Sequence, residues 1–208
     1  MGVFATMPKA VRTVLETAVT LAVALAIAWL AQAFVIKPYR VPTPSMVPTL
    51  EPGDRVLADR LSLDFTSPHR YQIVVFHPPH CTADHSDSMG VCTSPQLDLR
   101  DKSDPYAGTT FIKRVIGLPG ETVWSQGGKI MVKHGSKTFA LDEPYVNQGN
   151  EVAGRALGHI TIPSGYYLLM GDNRAISDDS RDWGLEPRGG IIGVARARYW
   201  PLRRIGIL

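Results

Sequence analysis

The sequence predicts a mostly β domain, a coiled sheet or barrel, behind a single N-terminal transmembrane helix. Three observations lead there. An apolar run from Thr17 to Ile36 covers 20 residues, about 30 Å as a helix, which matches a hydrocarbon core. After it, apolar residues come in short β-rich runs, too brief for helices. Between those runs stand proline and glycine turn signals.

The anchor comes first. Lys9 and Arg12 precede it, Lys37 and Arg40 follow, and Trp29 and Tyr39 lie toward its far end. Basic residues at both ends leave the direction of crossing undecided by charge. Ala31-Gln32-Ala33 also has the form of a signal-peptide cleavage site, so a removable secretory signal is an alternative reading. Val35 and Ile36 extend the apolar run past that cut, which favours a retained anchor. The chain then divides into a short segment 1–12, an anchor helix 13–36 and a domain 37–208. A chain of 208 residues with a formal charge of +3 holds one domain behind an anchor. So small a charge excludes a nucleic-acid binder that depends on an extended basic face.

Strands are expected at Arg55–Leu61, Gln72–Phe76, Thr110–Ile116, Lys129–Lys133, Ile160–Ile162 and Tyr166–Met170. Glu51-Pro-Gly-Asp, Leu118-Pro-Gly-Glu, Gln126-Gly-Gly, Pro163-Ser-Gly and Gly189-Gly supply turns. The segment 77–108 is different. It is polar, holds Cys81, Cys92, His77, His80, His85 and five aspartates, and reads as a long surface insertion between two strands.

Three motifs carry chemistry. Pro42-Thr43-Pro44-Ser45-Met46-Val47-Pro48 places a serine on a proline-stiffened segment, with only eight residues between it and Ile36. A serine hydroxyl is a weak nucleophile unless a base takes its proton, and otherwise Ser45 is a turn residue. Phe111-Ile-Lys113-Arg114-Val-Ile-Gly-Leu-Pro-Gly offers that base. In a strand Lys113 shares a face with Phe111 and Val115, where desolvation lowers an ammonium pKa toward the range a general base needs. The other reading is an edge lysine that snorkels to water. The third motif is Gly171-Asp172-Asn-Arg174-Ala-Ile-Ser177-Asp-Asp179-Ser-Arg181-Asp-Trp-Gly184.

Two distractors fall away. Asp178-x-Ser180-x-Asp182 starts like a calcium loop, but Trp183 stands where glycine is needed and Gly189 where a bidentate Glu belongs. His134 and His159 lack any surrounding Gly-x-Ser-x-Gly elbow for a serine–histidine triad.

Taken in order, the three motifs resemble the signature boxes of the type I signal peptidases. The resemblance covers the anchor and most of the chain after it, except roughly 77–110. It implies the signal peptidase fold, an extracytoplasmic catalytic domain on a single-pass cell-membrane anchor, and a Ser–Lys dyad. Ser45 becomes the nucleophile and Lys113 the general base. The Ser45 backbone N–H and the hydroxyl two residues earlier, here Thr43 where many relatives have serine, form the oxyanion hole. Ser177 orients the lysine. Asp172 with Arg114, and Asp179 with Arg181, brace the site, and Arg174 joins them as scaffold. No cofactor or metal is implied. The substrates would be preproteins bearing signal peptides, cut through an acyl-enzyme after an Ala-x-Ala-like site near the protein translocation channel. Membrane lipids would be partners too: Met46 and Leu50 are expected to dip into the bilayer. The basic and aromatic run Arg196–Arg204 rests on head groups or is simply solvated.

On the outer side of a membrane, Cys81 and Cys92, with ten residues between them, are expected to form a disulfide. A metal site using His77, His80, Cys81, His85 and Cys92 is the rival, although the spacing fits no common zinc motif. Rivals for the function are the self-cleaving SOS and phage repressors, which share the dyad but carry a DNA-binding domain. An inactive membrane-anchored β scaffold is another.

Overall fold

The structure, a computed structural model, describes residues 8–78, 109–146 and 156–208, with only the backbone of 28–34. Cys81, Cys92, His80, His85 and almost all of the 77–108 segment lie outside the described residues. Helix α1 runs from Lys9 to Phe34. Its stretch Lys9–Ile27 is long and apolar enough to cross a membrane and is buried by nothing in the fold. The helix starts earlier and stops sooner than the 13–36 expected from composition, and Ile36 opens a strand instead.

Twelve strands come after it among the described residues, all paired antiparallel. Strands β1 (Ile36–Arg40), β2 (Arg55–Asp59), β3 (Ile73–Phe76) and β4 (Phe111–Gly117) belong to the larger sheet. So do β9 (Tyr166–Met170), β10 (Glu186–Pro187), β11 (Ile191–Trp200) and β12 (Gly206–Ile207). Its order is β1-β2-β11-β3-β4-β9-β10, with β12 on β11. The smaller sheet has the order β7-β6-β5-β8, from β5 (Thr122–Gln126), β6 (Lys129–His134), β7 (Lys137–Ala140) and β8 (Ile160–Thr161). Pro38 sits in β1 at a sheet edge, where a missing N–H disturbs no ladder. The register shifts twice along β11 against β2, between Ala195 and Ala197 and between Arg198 and Trp200. Bulges of this kind bend a strand and curl its sheet.

Both faces of the central strands are covered. Ile73 and Val75 of β3 face a cluster with Val41, Met46, Leu50 and Ile112, while Val74 and Phe76 face Val115, Leu169 and Val194. Ile116, Leu168 and Met170 pack a third cluster against Val123, Ile130 and Val132 of the small sheet. This is why β3 and β9 read as unbroken apolar runs and not as alternating ones.

Two expectations change here. Met46 and Leu50 are both 0 % exposed and lie in the core, so they are not the side chains that reach lipid. The 3-10 turn Pro44–Met46 directs Met46 inward, beneath the serine. In the basic C-terminal run Arg198 is bound to the Thr49 carbonyl at 2.7 Å and Arg204 is paired with Glu51, while Arg196, Trp200, Leu202 and Arg203 are exposed.

The register links the start of β1 to the strand that carries Lys113. Ile36 pairs with Asp59, Asp59 with Val194, Val194 with Val74, and Val74 with Lys113. Lys113 therefore lies in the same row as the first residue of β1, four strand spacings or roughly 19 Å away along the sheet.

Met46→Ala should lower unfolding stability by about 2–4 kcal/mol through the cavity it leaves. Thermal melts in detergent check this. A side chain that met only lipid would leave the melting temperature unchanged.

Candidate active site

Ser45 lies in the turn Pro44–Met46, between β1 and β2, with a proline at the first position and Thr43 extended ahead of it. Lys113 lies mid-strand in β4 and is 4 % exposed. Their functional atoms meet: Lys113 Nζ is 2.8 Å from Ser45 Oγ, 68 residues apart in sequence. Thr43 Oγ1 shares a hydrogen bond with Ser45 Oγ at 3.2 Å.

The amine is held well below its ordinary pKa, from 10.5 to about 8. Desolvation is the main cause, since burial penalises the charged form. The negative charges of Asp179, Asp178 and Asp172 pull the other way, and Arg181 assists the lowering.

Two of those carboxylates are neutralised by guanidinium forks. Asp172, fully buried, receives Arg114 Nε at 2.8 Å and Arg114 Nη2 at 2.6 Å, and Thr49 Oγ1 donates to it at 2.5 Å. Asp179 receives Arg181 Nε at 2.8 Å, Arg181 Nη2 at 2.9 Å and the Gly171 N–H at 3.0 Å. Burial alone would raise the Asp179 carboxyl, yet these donors, with a hydrogen bond from Ser177, hold it below its ordinary value. Bidentate charge-assisted bonds of this type fix position as well as charge.

The third motif is also clamped to the serine. The Asn173 N–H donates to the Ser45 carbonyl at 3.0 Å and Asn173 Nδ2 to the Pro44 carbonyl at 3.3 Å. Gly171 is required by this close approach. A Cβ there would stand 2.4 Å from the Ser45 carbonyl oxygen and 2.2 Å from Ser177 Oγ. Ser177 is itself fully buried.

Glu143 and Tyr145, from the segment after β7, carry no motif and escape a sequence reading. Glu143 forms a double ion pair with the fully buried Arg174, whose Nε donates to the Gly171 carbonyl at 3.1 Å. The Tyr145 ring lies 3.9 Å from the centre of the Arg114 guanidinium. The segment leaving the small sheet thus braces both arginines, through contacts that only the fold creates. His134 and His159 lie elsewhere, near Glu121 and stacked on Trp124 respectively.

Beside Ser45 and Lys113 opens a cleft of about 300 Å³. Pro42, Thr43, Pro44, Thr109–Ile112, Ile176 and Asp178 line it together with Ser45 and Lys113. Among the described residues no group of His, Cys, Asp and Glu side chains is arranged to hold a metal ion.

A family model described as "Signal peptidase, peptidase S26" matches residues 14–200. The chain belongs to the signal peptidase family. It is 35 % identical over 204 residues to signal peptidase I of Leptolyngbya laminosa, covering 98 % of this chain and 88 % of that one. Similarity to a probable signal peptidase I-1 of Synechocystis is 37 % over 191 residues, covering 90 % of this chain and 83 % of the other. Signal peptidase IB of Staphylococcus aureus is 31 % identical over 205 residues, covering 91 % of each. Among solved structures, a signal peptidase I from Enterococcus faecalis V583 aligns with 62 % of this chain and 97 % of its own. That alignment has 25 % identity and a TM-score of 0.42.

A buried lysine weakens the fold when it must be charged. The unfolded amine keeps a pKa near 10.5 while the folded one has about 8. The cost is complete below pH 8 and fades as pH rises toward 10.5, because across that window the unfolded chain holds the extra proton. Lys113→Met should therefore stabilise the protein by roughly 2–3 kcal/mol at about pH 7. Urea unfolding at about pH 7 and pH 10 tests it, the gain shrinking at the higher pH. An equal gain at both would contradict the buried, depressed amine.

Proposed function

We propose that this chain is a membrane-anchored serine endopeptidase. It removes signal peptides from translocated proteins by cutting after an Ala-x-Ala-like site. The observation that carries the reading is the 2.8 Å contact between Ser45 Oγ and the buried Lys113 Nζ. Family membership supports the substrate class, and the geometry supports the dyad.

In this mechanism the neutral Lys113 amine accepts the Ser45 proton as Oγ attacks the scissile carbonyl. The tetrahedral oxyanion is received by the Ser45 backbone N–H and the Thr43 hydroxyl, donors of the kind that contribute about 3–4 kcal/mol to such transition states. Lys113 then protonates the leaving amine, and an ester remains on Ser45. Water gives a proton to Lys113 as it attacks the ester carbonyl, and when the acyl group leaves as the acid Lys113 returns that proton to Ser45 Oγ, which restores the dyad. Ser177, buried against Gly171, keeps the lysine oriented, while the two arginine–aspartate pairs hold the surrounding backbone. No cofactor takes part.

Segment 1–12 lies on the cytoplasmic side, α1 anchors the chain, and domain 37–208 works on the extracytoplasmic face. Only eight residues separate Ile36 from Ser45, which supports a site held near the bilayer surface. There a preprotein leaving the translocation channel would present its cut, with membrane lipids adjoining the domain.

The protein in detergent should cleave an Ala-x-Ala peptide with a kcat/KM that rises with pH and levels off above about 8. At about pH 7 roughly a tenth of the amine is neutral, so activity should stand near one-tenth of the plateau. Ser45→Ala and Lys113→Ala should each lose at least a thousandfold in kcat. Survival of activity in either variant would remove the dyad mechanism.

A further inference from the structure

The charge balance of the cleft depends on a residue that the mechanism does not use. From Ile176 to Asp179 the backbone alternates: Ser177 and Asp179 turn inward and are fully buried, whereas Ile176 and Asp178 are exposed. Asp178 lines the cleft alongside Ser45 and Lys113. Its buried neighbours Asp172 and Asp179 are matched by Arg114 and Arg181. Asp178 forms no ion pair with any of the described residues. Lys113 is the base only when neutral, so in the working state Asp178 is the unmatched formal charge among the described residues of this cleft.

The walls around it are largely apolar: Pro42, Pro44, Ile112 and Ile176. Low-dielectric walls focus the field of a lone charge onto whatever enters the cleft. We infer that Asp178 selects substrates by charge, favouring a basic and disfavouring an acidic side chain next to the cut site. This rests on the peptidase reading above and adds a substrate preference to it. An attraction for Lys combined with a repulsion of Glu, across a partly solvated gap, makes the expected discrimination about tenfold. The electrostatic influence of Asp178 on Lys113 is consistent with its closeness to the reacting groups.

The test uses the full chain in detergent and Ala-x-Ala peptides differing at one residue, Lys, Gln or Glu. The variable residue is placed either between the alanines or directly after the cut. For the wild type, kcat/KM should favour Lys over Glu by about tenfold at one of these positions, with the ratio shrinking as salt is added. In Asp178→Asn the ratio should fall toward one, and in Asp178→Lys it should invert. Each ratio is internal to one enzyme, so a general change in activity does not affect it. Equal cleavage of Lys and Glu peptides by the wild type would overturn the inference, as would an unchanged ratio in Asp178→Asn. Cleavage of the Gln peptide reports separately on the peptidase reading, so an active but charge-blind enzyme refutes only the role of Asp178.

Discussion

The hydrogen bond between Ser45 Oγ and Lys113 Nζ, kept out of water, is the constraint on which the rest of the structure depends. It asks two opposed things of the fold. As the base of the proposed dyad, the lysine must be desolvated enough to lose its proton near neutral pH, yet it must stay within bonding distance of a hydroxyl. Strand β4 meets both demands, because its neighbours β3 and β9 bury it on either side while the turn carrying Ser45 closes over it. The fold loses stability by holding an amine there, and the three hydrophobic clusters around β3, β4 and β9 offset that loss.

Carboxylates near such an amine would restore its proton. The structure keeps two aspartates close for their hydrogen-bonding capacity and cancels their charge with Arg114 and Arg181. Those arginines are in turn held in place: Arg114 by Tyr145 and the Tyr71 carbonyl, Arg181 by the Arg174 carbonyl. Arg174 leans on Glu143. A chain of charge compensation therefore runs from the edge of the small sheet to the serine, with Arg114, Asp172, Arg174 and Asp179 buried and Glu143, Tyr145 and Arg181 partly so. Breaking a buried pair from one side leaves an uncompensated charge, which is far costlier than losing a surface ion pair. This explains why so many polar side chains can occupy the interior of a domain of this size.

The limits of the sequence have physical causes. Strands such as Ile73–Phe76 and Tyr166–Met170 are legible because they are short, apolar and bounded by turns. Strand β11 is not, since Arg196, Arg198 and Trp200 hide its pattern; only the fold shows Asp59 and Asp54 paired with those arginines. Residues within the three motifs can be singled out by chemistry and resemblance. Glu143 and Tyr145 cannot, because their roles come from contacts with residues about 30 positions away. Met46 defeats a sequence reading for a local reason: adjacency to Ser45 suggests exposure, but one step along a 3-10 turn rotates a side chain from the cleft to the core.

The central claim is that Lys113 is neutral over a working pH range in the resting fold. The most direct measurement is an NMR titration of the lysine side chains, labelled with carbon-13 at Cε, with the Lys113 signal assigned by its absence in Lys113→Met. The account predicts a midpoint near 8 for Lys113, well below the ordinary lysine value of 10.5. A midpoint at about 10 or above would mean a solvated, charged lysine, and the dyad could not operate.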